Sequence, residues 1–201
     1  MRLLLIACLL LSQITLNAQT GRRLELLFLG DKGHHKPFDR LPALQSAIGV
    51  KGMNITYTES LKDLNPQYLN KFDALIIYAN HDSIPAPQEK ALLGYVATGH
   101  GLVAIHCASF NFRNSKEFVK MVGGQFWRHG MDSIRVQNEA NTNVQIKTVD
   151  ETYLHAYLQP DNQIWQSRIL GPEQAKDKPG VKTEPYTWTR TYGKGNIFYT
   201  A

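Results

Sequence analysis

Apolar residues fall into short blocks separated by polar turns, and the period within the blocks changes along the chain. LELLFL, from Leu24 to Leu29, is a continuous apolar run that stops at Gly30-Asp31, the mark of a strand buried on both faces. Phe38, Leu41, Leu44, Ala47 and Ile48 then recur at helical spacing between Pro37 and Val50, with Gly49 as the stop. Met53 to Thr58 alternates Ile55 and Tyr57 and predicts a strand. Phe72 to Tyr78 (FDALIIY) predicts another buried strand, a helix is expected from about Gln88 to Ala97, and Leu102 to Ile105 is the next apolar strand. Ser115 is placed to cap a helix that runs to Val122 and ends at Gly123-Gly124. Strands alternating with helices predict a parallel sheet covered on both faces.

After Gly130 the helical period disappears. Asp132 to Gln137, Val144 to Thr148, Asn162 to Leu170, Pro185 to Tyr192 and Asn196 to Thr200 predict short strands. Gly171 to Thr183 is polar and predicts a loop, and Tyr192-Gly193-Lys194-Gly195-Asn196 predicts a hairpin turn. The chain of 201 residues, 43% hydrophobic, suits one domain around one core. The formal charge of +5 is scattered; Arg22-Arg23 and the lysines around Asp177 are the only small clusters, which argues against nucleic acid as a partner.

The N-terminus, MRLLLIACLLLSQITLNAQ, predicts an export signal. Arg2 is the charged start, Leu3 to Leu11 the apolar core, and Leu16-Asn17-Ala18 a cleavage site. The apolar core is too short to span a bilayer. Residues 1–18 are therefore expected to be a signal peptide and 19–201 the exported domain, periplasmic or secreted. Leu5-Ile6-Ala7-Cys8 mimics a lipoprotein signal, but almost no hydrophobic segment precedes Cys8. Cys107 is then the only cysteine of the mature chain, so no intrachain disulfide is expected.

Ligands in open parallel sheets bind beyond the carboxyl ends of the strands. Three such ends carry histidine: Asp31, His34 and His35 after the first strand, Asn80, His81 and Asp82 after FDALIIY, and His106, Cys107 and Ser109 after the third apolar strand. Neighbouring strand ends lie about 5 Å apart, so a shared pocket is expected. Alternation puts Leu102, Ala104 and His106 on one face and Val103 and Ile105 on the other. His106 is then expected exposed at the crest of the turn. Cys107 either packs beneath it or is a thiol activated by the following helix. Asp150-Glu151-Thr152-Tyr153-Leu154-His155 reads either as a capped helix start or as a polar flap over the sheet edge. Trp188 is core or a stacking platform for a sugar.

FLGDKGHHKP, YANHDSIPAPQEKALLGYVATGHGLVAIHCASFNFRNS, MVGGQFWRHG, DETYLH and EPYTWTRTYGKGNIFYTA together resemble the ThuA-like (trehalose utilisation) family over nearly the whole mature chain. The resemblance implies a flavodoxin-like, doubly wound α/β fold related to class I glutamine amidotransferases, with an extended C-terminal β portion. In those enzymes the strand-to-helix elbow carries a nucleophilic cysteine. Here His106 holds that position and Cys107 comes one residue late, which implies no glutamine hydrolysis. Relatives are exported proteins, often joined to a haem-c-bearing or dehydrogenase-like module. In them the FYTA strand runs on into a Gly-His-Asp segment, so this chain is expected to be the N-terminal part of a longer protein. They also carry a longer segment before DETYLH than Gln137 to Val149.

The family implies a carbohydrate ligand, a disaccharide or keto-sugar. His34, His35, Asn80, His81, His106, Ser109, Arg113, His129, Glu151, Tyr153 and His155 carry over as site residues. Three functions fit. In a sugar-processing enzyme His106 is the acid–base group with His81 or Glu151 as partner, and Tyr153 and Arg113 orient hydroxyls. In a non-catalytic sugar-binding or scaffold domain the same groups only bind. In a metal-dependent enzyme His34, His81, His106, His129 and Glu151 offer ligands suited to zinc. The first two need no cofactor.

Overall fold

The computed structural model describes residues 21–201; the expected signal segment, with Cys8, lies outside them. A nine-stranded sheet runs through the molecule. It contains β1 (Leu24–Leu29), β2 (Met53–Thr58), β3 (Ala74–Ile77), β4 (Gly101–Ile105), β6 (Met131–Asn138), β7 (Val144–Glu151), β9 (Gln163–Ile169), β10 (Thr183–Tyr192) and β11 (Gly195–Thr200), in the order β2-β1-β3-β4-β11-β10-β9-β6-β7. The first five strands in that order pair in parallel, and the remaining pairs are antiparallel. Two short strands, β5 (Gln125–Arg128) and β8 (Leu154–Ala156), form a separate ribbon.

Helices flank the parallel half on both faces, as the strand–helix alternation predicts. On one face α2 (Pro66–Leu69), α3 (Ala86–Ala97) and α4 (Lys116–Val122) cover Leu27, Leu29, Leu75, Ile77, Leu102 and Ala104, with Leu69, Leu92, Val96, Phe118 and Met121 packed down onto them. On the other, Leu41, Leu44 and Ile48 of α1 (Pro37–Gly49) pack on Leu26, Phe28, Ile76, Val103 and Ile105. The two-residue alternation along β4 therefore sorts its side chains between two cores. Ser115 caps α4, its Oγ accepting from Phe118 N–H at 3.0 Å. Gly123 ends that helix with φ +100°, and a Cβ there would clash with Asn162 Oδ1. Among the described residues no helix is long and apolar enough to cross a membrane.

Some local expectations change. DETYLH is not a helix start: Asp150 and Glu151 close β7, and Leu154 opens β8, because pairing with β6 and β5 supplies the backbone partners. The polar segment after Gly171 contains a short helix, α5 (Pro172–Asp177), started by proline and held by Gln174. FDALIIY narrows to Ala74–Ile77. Trp188 is core rather than a platform: its ring is fully buried and its Nε1 donates to Val122 O at 2.8 Å.

Candidate active site at the carboxyl edge of the sheet

β4 ends in a sharp elbow. Ile105 is still extended, whereas His106 adopts φ +50° and begins a 3-10 turn through Phe110. A left-handed conformation for a residue with a Cβ costs about 1–3 kcal/mol and persists where the surroundings over-determine it. Here they do: Ser109 Oγ donates to the His106 carbonyl at 3.2 Å, and the Tyr199 hydroxyl lies 3.0 Å from the same oxygen. The next residue, Cys107, is 1% exposed, and burial pushes its thiol far above the ordinary range. Cys107 thus packs beneath the elbow and is protonated at neutral pH.

The elbow aims the His106 imidazole at Glu151, Nε2 standing 3.1 Å from Oε2. Their side chains are 16% and 17% exposed, so His106 is less open than its place at the crest predicts. Tyr153 causes this: its buried ring stacks on the imidazole at 4.2 Å and 25°. His35 closes another side, edge-on at 4.9 Å, with exposed His34 behind it at 4.0 Å. Burial, and then repulsion from His35, lower the His106 pKa to about 4, against the pull of Glu151. The pair at neutral pH is therefore a neutral imidazole hydrogen-bonded to a carboxyl group. Burial also lowers the His35 pKa, with His34 adding to the effect. His129, on the exposed rim, lies 5.7 Å from the Tyr153 ring.

The other sequence-predicted residues fall into two groups. His81 and Asn80 sit at the neighbouring strand end, outside the His35–His106–Glu151 cluster. The His81 Nε2 is 3.3 Å from Gly30 O and its ring stacks over Phe112 at 6.2 Å, while Asn80 N–H donates to the Asp31 carboxylate. Arg113 is exposed, paired with Asp82 at 3.0 Å and stacked over Phe110. Ser109 and His155 are buried and lie behind the site rather than on it.

His155 belongs to an interior chain of polar groups that sequence reasoning missed. Glu184 Oε1 accepts from His155 N–H at 2.8 Å and lies 3.2 Å from its Nδ1; Glu184 Oε2 accepts from Lys178 Nζ at 2.6 Å. His155 Nε2 in turn is 2.9 Å from the Tyr199 hydroxyl, which is 3.0 Å from Ser109 Oγ. Burial holds the His155 ring neutral, so with Nδ1–H given to Glu184 its Nε2 accepts from Tyr199. The signal for Tyr199 was the inward alternation with Ile197 along β11; nothing in the sequence pairs Glu184 with His155.

The profile of the family described as ThuA, trehalose utilisation, matches residues 26–201. The chain belongs to the ThuA family. Its fold agrees with solved relatives. A ThuA-like protein from Bacteroides uniformis superposes with TM-score 0.70 at 17% identity, covering 90% of this chain and 82% of that one. A ThuA-like protein from Parabacteroides merdae gives 0.67 at 15% identity, over 89% and 79%. The cold-adapted β-galactosidase of Rahnella shares the fold more loosely, with TM-score 0.57 at 12% identity over 90% of this chain but 28% of the enzyme. No curated protein matches the chain by sequence. Among the described residues, His106 holds the elbow position and Cys107 lies buried behind it.

Proposed function

We propose that this ThuA domain is an exported protein that binds a carbohydrate at the carboxyl edge of its sheet and acts on it by proton transfer. The observation that carries the reading is the 3.1 Å contact between neutral His106 and Glu151 on a strained elbow. Membership of a trehalose-utilisation family supports a sugar as ligand. A keto-sugar has acidic hydrogens beside its carbonyl, and moving one requires a group that takes the proton and, as its conjugate acid, gives it back. His106 takes it, because its imidazole is uncharged at neutral pH. Glu151 orients the ring and balances the charge that then forms. His35, His34 and His129 line the approach with donors and acceptors for hydroxyls.

The test is calorimetry and product analysis with disaccharides and keto-glycosides. We expect sugar binding and turnover in the unaltered protein. His106→Ala should abolish turnover while the far-ultraviolet circular dichroism stays unchanged. Undiminished turnover in that variant would remove His106 from the chemistry, and absence of binding to any sugar tried would sink the carbohydrate reading.

A further inference from the structure

We propose that His35, His106 and Glu151 form a binding site for one divalent transition cation of the zinc class. The three side chains come from the loop before α1, the elbow after β4 and the end of β7, so the fold alone assembles them. One ligand atom of each lies within 4.8 Å of the other two. Two ligands at about 2.1 Å from a cation, at a tetrahedral angle, are roughly 3.4 Å apart. The His106–Glu151 separation of 3.1 Å is already close to that spacing. Only His35, half-buried in the loop before α1, must swing inward. The rings are backed by aromatic groups, Tyr153 against His106 and His34 against His35.

Two imidazoles and one carboxylate are a donor set suited to zinc and to other first-row cations. Three protein ligands leave a position for water or for a sugar oxygen. Only that last ligand rests on the carbohydrate reading; the protein ligand set stands without it. The cation would stand where a proton now lies between His106 Nε2 and Glu151 Oε2, so proton and cation compete for one site. His81 and His129 do not belong to this set.

The test is titration of the chelator-stripped protein with Co²⁺, followed by visible absorption and by paramagnetic shifts of histidine ring protons, with Zn²⁺ calorimetry alongside. We expect saturation at one equivalent and shifts on His35 and His106. The affinity should fall at least about tenfold in His35→Gln and in Glu151→Gln, and stay unchanged in His100→Gln, which alters a histidine packed on Tyr95 elsewhere. Both altered ligand positions lie outside the core, and circular dichroism checks their fold. No saturable binding, equal affinity in the His35→Gln/Glu151→Gln double variant, or shifts confined to other histidines would overturn the site. The proton shifts are read on the unaltered protein and decide the matter even if a variant misfolds. Sugar binding measured in chelator is a separate result, so either reading can fail alone.

Discussion

The Tyr199 hydroxyl meets His155 Nε2 at 2.9 Å in the interior, where both side chains are buried, and the same hydroxyl is 3.0 Å from the carbonyl of His106. Its single proton serves one acceptor at a time. Neutral His155 takes it, and Ser109 covers the His106 carbonyl. Tyr199→Phe leaves a buried imidazole nitrogen without a donor. We expect a loss of about 1–3 kcal/mol in urea denaturation. A loss of only a few tenths would mean that water replaces the hydroxyl.

Glu184 is the hub of the same chain, holding His155 on one oxygen and Lys178 on the other. Its carboxyl pKa is lowered: burial opposes ionisation, but the hydrogen bonds from His155 and Lys178 outweigh it. Removing one partner of a buried charged pair strands the other. Glu184→Ala should therefore cost about 3 kcal/mol or more, measured by the shift of the denaturation midpoint. A stability equal to that of the unaltered protein would show that Lys178 escapes to solvent at no cost.

Cys107 should be silent. A thiol-reactive disulfide reagent is expected to label it only after denaturation, because the side chain is 1% exposed and burial holds it protonated. Cys107→Ala should retain sugar binding. Rapid labelling of the native protein would reopen the question of a cysteine nucleophile.

Stability should depend on pH through the histidines. In chelator-treated protein His106 and His155 both hold pKa values below the ordinary 6.5 because burial disfavours their charged forms. The unfolded chain takes up protons as pH falls through about 6.5, while folded His106 refuses them until about 4. The stability present above about pH 6.5 is thus lost progressively on acidification towards about 4. The His106 share is on the order of 3 kcal/mol. Denaturation at about pH 7 and about pH 5 should show the loss, and His106→Gln should reduce it. An unchanged slope in that variant would show that His106 is accessible to protons in the folded protein.

The alternation of Leu102, Val103, Ala104 and Ile105 is enough to place His106 at the β4 elbow, because a strand reverses its side chains every residue and the two faces meet different helices; it leaves Cys107 open between a buried thiol and an activated one, and the packing beneath the elbow decides for burial. The helical spacing in α1, the Ser115 cap and the strand ends carrying histidine were legible for the same reason: each is set by a local period or a local hydrogen bond. The sequence leaves the partner of His106 open between Glu151 and His81, and DETYLH open between helix and flap, since neither depends on nearby residues. Antiparallel pairing of β6 with β7 brings Glu151 to the elbow, and the loop before α1 turns His35, not His34, onto the imidazole. The buried Glu184–His155–Tyr199 chain joins residues 15 to 44 positions apart, which no period in the sequence encodes. The sequence by itself determined which residues face inward and where the chain turns; tertiary structure decided which polar groups meet, because those meetings depend on strand order and register across the sheet.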